Sequence, residues 1–344
     1  MNYLQDRIRG SLIGGAIGDA LGYPIEFFSS YAQILDEYGE QGITRLDTHS
    51  RWAHDGLAVF SDDTQMTLFT ACGLLNAHHL GIDPLQAISH AYLEWLQTQQ
   101  GTCQGMAECW IRDVPELNHR RAPGNTCITS MESISLGHEP NNYSKGCGGV
   151  MRIAPIPLYA AVGGRMTIEE AARLAADAAR LTHLHPMGYI PAALESCVIY
   201  RLAQDEHPTR DAMEQYICDA CNIIAGLYSA DPRHLVAMQR LAEQAMALAA
   251  NDQTDVDNIA SLGEGWVGEE AVAIGLYCAL RHFSDFEQAM IAAVNHSGDS
   301  DSTGAIAGNI LGAAVGHASI PDYYKSPLEL HDLILHLADD LYGA

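Results

Sequence analysis

The sequence predicts an all-α fold, and three observations carry that expectation. Apolar residues recur at helical spacing along most of the chain. Alternating β-type runs are scarce, with residues 43–46 and 57–60 the best of them. Two segments near opposite ends are rich in small residues at helical spacing: Gly10, Gly14, Gly15, Gly18 and Gly22, then Ala305, Gly308, Gly312 and Gly316.

In chain order, the first helix is expected over 4–21. Each interior glycine costs it roughly 1 kcal/mol relative to alanine. Close packing against a neighbour would offset that cost, so this helix is predicted to cross the small-residue helix over 302–317 at the centre of the fold. A helix over 64–80 follows the acidic turn Ser61-Asp62-Asp63-Thr64. The next, over 84–98, begins with Pro84, which suits a first helical position, and Asp83 can cap it. Thr167 precedes a helix over 168–182, whose first turn holds Glu169 and Glu170 where the helix dipole favours acids. Further helices are expected over 187–205, 210–226, 232–250, 269–282, 286–295 and 328–342. The glycine-rich and polar stretches between them are where a site is expected.

The chain has 344 residues and is 48% hydrophobic, enough for a sizeable core. No linker or low-complexity stretch interrupts it, so residues 1–344 are read as a single domain. Eighteen Lys and Arg stand against 43 Asp and Glu, a formal net charge of −25. Such a chain repels nucleic acid and anionic membranes, and neither is expected as a partner. An anionic small ligand remains compatible, because bound divalent ions reverse a local field. The nine cysteines are scattered and odd in number, which fits reduced thiols in a cytoplasm. Cys218 and Cys221 form a CxxC inside a helical pattern with no second pair, and are read as structural. The N-terminal residues show no signal-peptide pattern, no uncharged run reaches bilayer length, and a cytoplasmic location is expected.

The chemistry is expected in two acidic clusters, Ser61-Asp62-Asp63-Thr64 and Asp299-Ser300-Asp301-Ser302-Thr303. One Asp would satisfy a helix cap. Two adjacent Asp flanked by hydroxyls exceed that need, and Asp299 and Asp301, two apart in an extended turn, project to the same side. Carboxylates and hydroxyls are the ligands that Mg²⁺, Mn²⁺ or Ca²⁺ prefer. No Cys/His spacing competes as a zinc site. Brought together, the clusters would form a two-metal site. A third feature is the run Lys145-Gly146-Cys147-Gly148-Gly149, whose glycines would let backbone N–H groups approach a pyrophosphate closely.

Four segments now carry a resemblance. Gly14 to Gly22 followed by Pro24-Ile25-Glu26-Phe27, Phe60 to Met66, Lys145 to Pro155, and Asn295 to Asn309 resemble, in order, the signatures of the ADP-ribosylglycohydrolase family. These are dinitrogenase reductase-activating glycohydrolase-like ADP-ribosyl-acceptor hydrolases. The resemblance runs from about residue 7 to 317. It implies a compact orthogonal multi-helix bundle of the ADP-ribosylglycohydrolase type, holding two Mg²⁺ or Mn²⁺ ions. By motif position, Ser61, Asp62 and Asp63 would bind one ion with Asp301, and Asp299, Asp301 and Ser302 the other. Ser61 and Ser302 stand where many members have Thr. Glu26 matches a family glutamate near the metals. Gly146, Cys147, Gly148 and Gly149 match the loop that holds the ADP-ribose diphosphate, with Cys147 where relatives often have Asn. His183 aligns with a histidine of the ADP-ribose pocket. Trp266 falls in a substrate-wall loop and either packs on a ligand base or anchors that loop, the anchor being preferred. Residues 101–127 are expected to cover the mouth, with Asn125 either capping the next helix, the preferred reading, or meeting the modified side chain.

The activity so implied is hydrolysis of the C1″ glycosidic bond between ADP-ribose and a protein side chain, arginine first. ADP-ribosylated protein would be the substrate and free ADP-ribose the product. Asp62 or Glu26 would serve as base, and the transition state would resemble an oxocarbenium ion. The alternative is an immunity or binding protein that occludes a cognate ADP-ribosyltransferase, with or without hydrolysis. A phosphohydrolase cutting the diphosphate would instead yield AMP and ribose phosphate. A crystallin-like structural member should have lost carboxylates that this chain keeps.

Overall fold

The computed structural model describes residues 2–344, and their regular structure is almost wholly helical. In chain order these are α1 (Tyr3–Gly22), α2 (Tyr31–Tyr38), α3 (Asp62–Leu80), α4 (Pro84–Gln100), α5 (Asn125–Ser135) and α6 (Pro155–Ala161). Then come α7 (Ile168–Arg180), α8 (Pro186–Gln204), α9 (Arg210–Leu227), α10 (Pro232–Ala249) and α11 (Asp255–Leu262). The chain ends with α12 (Gly268–Arg281), α13 (Phe286–Val294), α14 (Ser300–Val315), α15 (Asp322–Lys325) and α16 (His331–Gly343). The only sheet among the described residues pairs β1 (Ala53–His54) with β2 (Leu57–Ala58) across an Asp55-Gly56 turn with positive φ at both positions.

Glycine packing sets the centre. A Cβ added at Gly10, Gly14 or Gly18 would lie 2.4, 2.4 or 2.0 Å from the carbonyl oxygens of Gly312, Gly308 and Gly304. That register is antiparallel, and only glycine on both helices permits it. Ser11 Oγ donates to Asn309 O across the same seam at 2.8 Å. The expected crossing is therefore present, with Gly304 rather than Ala305 at its first step. Gly316 leaves the helix instead, with φ +77° at the C-cap of α14. The antiparallel arrangement places the C-terminal end of α1 beside the N-terminal end of α14, which fixes where the site must lie.

The other helices pack around this pair. α12 and α13 pack on α14, α16 on α1, α3 on α4, and α7 on α8. Their starts follow the sequence signals. Asp83 accepts from Gln86 N at 2.9 Å ahead of Pro84. Thr167 and Glu170 form a reciprocal capping box on α7.

Sequence periodicity missed α2, α5, α6, α11 and α15. α2, α6, α11 and α15 have eight residues or fewer, too short for a periodic pattern to register. α5 is rich in Ser and Thr, whose side chains compete with helix formation, so tertiary packing must hold it. Residues 43–46 form no strand. The C-terminal helix starts three residues later than expected, because Leu330 takes a left-handed conformation (φ +55°).

Candidate active site

The two acidic clusters meet at the shared end of α1 and α14. At α3 the capping duty is carried by neighbours. Ser61 Oγ accepts from Asp63 N at 3.1 Å. Asp19, buried on α1, accepts from Ser61 N (2.8 Å), Thr64 N (2.9 Å) and Thr64 Oγ1 (2.5 Å). Capping therefore does not consume Asp62 and Asp63. Asp62 Oδ2 accepts from Gly124 N at 3.3 Å, and Asp63 Oδ2 accepts from Ser302 Oγ at 2.8 Å. The latter bond joins the clusters directly across 239 residues of chain.

At α14, Asp299 occupies the cap position without a side-chain capping bond. Its N–H donates to Glu264 O at 2.8 Å, and its Oδ2 accepts from the Cys147 thiol at 2.8 Å. Gly298 is required here, since φ is +154° and a Cβ would lie 2.0 Å from Glu264 O. Asp301 Oδ1 accepts from Ser302 N at 2.9 Å. Thr303 pins the turn from behind, donating to Asp299 O at 2.7 Å while contacting His296 Nε2 at 2.9 Å. Glu26 enters after a single turn of 3-10 helix, Tyr23–Ile25. It is 8% exposed and its Oε2 has no hydrogen-bond partner among the described residues. One oxygen each from Glu26, Asp299 and Asp301 lies within 4.8 Å of the others.

Burial and mutual repulsion dominate the electrostatics. Burial raises the affinity of Asp62, Asp63 and Asp299 for a proton far above the carboxylate norm, and the Asp301 charge raises it further. Glu26 is pushed up by burial, then by Asp301, Asp299 and Asp62. Asp19 is pushed up to about 7, by burial and then Asp301, against the hydrogen bonds it accepts. Two carboxylates within 5 Å repel by ~3 kcal/mol at an effective dielectric of ~20. No Lys or Arg lines the cavity among the described residues. The nearby Arg121 is committed elsewhere, gripping Glu329 through Nη1–Oε2 (2.5 Å) and Nη2–Oε1 (3.0 Å) with both residues buried. The cluster thus needs protons or a cation, and its donors, oxygens except for one thiol, fit a hard divalent ion.

These carboxylates line a cavity of about 200 Å³. Gly146, Cys147 and Gly148 form one wall, and Ala122, Gly124, Asn125 and Thr126 another. The glycines serve inward packing as well as access. A Cβ at Gly149 would lie 2.7 Å from Gly188 O, and one at Gly148 3.0 Å from Cys127 Sγ. His183 lies beneath this loop, its Nε2 3.3 Å from where a Cβ at Gly146 would sit. Burial, and then the Arg152 charge, holds its pKa down to about 3, so the ring is neutral. Arg152 and His183 share the Thr182 hydroxyl, at 2.7 and 2.8 Å.

Of the residues singled out in the sequence, the cavity gathers Glu26, Asp62, Asp63, Gly146, Cys147, Gly148, His183, Asp299, Asp301 and Ser302. Ser61 does not line the cavity, but its hydroxyl caps α3 and bonds Asp301, and Gly149 closes the loop against Gly188. Asn125 does not cap α5 as expected: Gly124 holds that position, and Asn125 opens the helix and faces the cavity. Trp266 lines the cavity at 40% exposure. Asp19, Arg121 and Glu329 were missed. An acid within the small-residue stretch of α1 was the available signal for Asp19. Nothing in sequence spacing connects Arg121 to Glu329.

A model described as ADP-ribosylglycohydrolase matches residues 1–344. An uncharacterised protein of Archaeoglobus fulgidus is 27% identical over 98% of this chain and 97% of its own. The ADP-ribosyl-[dinitrogen reductase] glycohydrolase of Rhodospirillum rubrum is 26% identical over 95% and 92%. ADP-ribosylhydrolase ARH3 of Gallus gallus is 24% identical over 98% and 92%. A solved chain described as an ADP-ribosylglycohydrolase-related protein complex superposes with TM-score 0.68 at 22% identity, covering 100% of this chain and 99% of that one, a likeness of fold.

Proposed function

The chain belongs to the ADP-ribosylglycohydrolase family, and from that premise we propose that it is a metal-dependent hydrolase removing ADP-ribose from modified protein side chains, arginine first. The carrying observation is the set of buried carboxylates, from Glu26, Asp62, Asp63, Asp299 and Asp301, with no Lys or Arg among the described residues lining their cavity. In this reading Ser61, Asp62, Asp63 and Asp301 would hold one Mg²⁺ or Mn²⁺, and Asp299, Asp301 and Ser302 the second. The Ser61 hydroxyl also accepts from Asp63 N in the α3 cap. When bound, such ions supply charge neutralisation and a Lewis-acid grip on sugar hydroxyls and water.

The chain's own groups do the rest. Asp19 and Ser61 fix the start of α3, where Asp62 lines the cavity; in this reading Asp62 would serve as the base. Glu26 stands at the cavity edge with Oε2 unengaged, placed to take or return a proton as the acceptor leaves. The neutral His183 and the 146–149 turn form the diphosphate side. A cavity of about 200 Å³ is below the ~300 Å³ typical of a site that encloses a drug-sized ligand. It takes the ribose end of ADP-ribose, and the adenosine extends outward.

The test is product identity. A protein ADP-ribosylated on arginine is incubated with this chain and Mg²⁺ or Mn²⁺, and the released material is weighed by mass spectrometry. Intact ADP-ribose supports the reading. AMP and ribose phosphate would replace it with a phosphohydrolase.

A further inference from the structure

A second cavity, of about 240 Å³, opens beside the first. Glu26 and Trp266 line both, so the two share a wall. Its remaining lining includes Phe27, Glu264 and Ser297, and no Lys, Arg or His. Phe27 is 65% exposed and Trp266 40%. No ring or cation packs on either aromatic among the described residues, although Arg side chains lie over rings at seven other places. Glu264 is exposed, and its carboxylate has no ion-pair partner among the described residues. Its backbone is fixed from both directions, accepting from Asp299 N and donating to Glu270 Oε2 at 3.0 Å. The unpartnered Oε2 of the buried Glu26 stands at the shared wall.

Two open aromatic faces beside a free carboxylate are the elements that recognise a planar cation. A guanidinium stacks on rings and pairs with carboxylate in one geometry, which neither a serine hydroxyl nor a compact ammonium reproduces as well. The net charge of −25 strengthens the attraction. We infer that this second cavity is the acceptor subsite, in which Phe27, Trp266 and Glu264 hold the guanidinium of the arginine being released. The inference rests on the hydrolase reading above and adds to it the residues that select the acceptor.

The experiment compares one peptide ADP-ribosylated on arginine with another modified on serine. kcat/KM is measured for the unmodified enzyme and for Glu264→Gln and Phe27→Ala. Both side chains are exposed, and thermal unfolding checks that the variants fold. Loss of one cation–π or charge contact of this kind predicts a ~10-fold fall for the arginine-linked peptide. The serine-linked peptide and the affinity for free ADP-ribose should not change. Equal losses on both peptides, or no loss on arginine, overturn the inference while leaving the hydrolase intact. Should the enzyme release ADP-ribose from neither peptide, the hydrolase reading fails, and the subsite is judged by binding of agmatine followed by NMR. Binding weakened ~10-fold by Glu264→Gln sustains it; binding unaffected by Glu264→Gln overturns it.

Discussion

Gly18→Ala and Gly226→Ala make the same chemical change and should have opposite effects. At Gly18 the new Cβ would sit 2.0 Å from Gly304 O and 2.3 Å from its carbon. An ordinary contact is ~3.4 Å, and both obstacles are backbone, so no rotamer relieves the clash. α1 and α14 must separate locally by about 1 Å. Overpacking of this kind costs ~1–3 kcal/mol, and immovable neighbours put Gly18 at the upper end. The helix gains ~1 kcal/mol from alanine in return. The net expectation is a loss of ~2 kcal/mol. At Gly226, on the exposed face of α9, a Cβ meets nothing within 4 Å. Only the propensity gain remains, so that variant should be more stable by ~0.5–1 kcal/mol. Urea unfolding at fixed m-value measures both. For 344 residues the unfolding entropy is about 0.7 kcal/mol/K, so Tm would move by only ~3 °C for Gly18→Ala. The clash also shifts Asp19, which holds the start of α3, relative to α14, so Mn²⁺ affinity should fall with stability. A Gly18→Ala protein as stable as the unsubstituted chain would refute the packing argument.

Other outcomes follow from the same geometry. Arg121→Ala strands Glu329, buried at 2% exposure, and should cost ~3–5 kcal/mol in urea unfolding, more than the paired replacement Arg121→Met with Glu329→Leu. His183, with its pKa held near 3, should show imidazole NMR shifts that stay flat from pH 8 to 5. The stability its neutral ring contributes is present above the unfolded-state value of ~6.5 and is lost as pH falls toward 3. Saturation of one site at ~100 times its Kd with Mn²⁺ should add ~2.7 kcal/mol to the unfolding free energy, visible as a thermal shift that EDTA abolishes. Asp301→Asn should lose that shift, yet unfold without metal at or above the temperature of the unsubstituted chain, because it relieves repulsion within the cluster.

Much of the fold was legible because long helices carry long patterns. α1, α3 and α14 were readable from glycine spacing and cap residues within a turn or two. α5 was not, because its Ser- and Thr-rich sequence gives little local preference and α4 and the 146–149 turn hold it in place. At the site, adjacency in sequence showed that Asp62 with Asp63, and Asp299 with Asp301, exceed what capping requires. It did not show that Asp19 would take over the cap of α3, since that contact spans 42 residues and depends on the α1–α14 crossing. The Arg121–Glu329 pair spans 208 residues and left no trace in spacing. For Asn125 the preferred cap falls to Gly124 while Asn125 lines the cavity, because a helix start and a cavity wall coincide there and Asn suits either.

The central claim is that the two acidic clusters form one metal-dependent hydrolytic site. The most direct measurement is the rate of ADP-ribose release from an arginine-modified protein, with Mg²⁺ or Mn²⁺ and with EDTA, for the unsubstituted chain, Asp62→Ala and Asp301→Ala. The account predicts release only with metal and only by the unsubstituted chain. Release that persists in EDTA, or in Asp301→Ala with its fold intact, would contradict it.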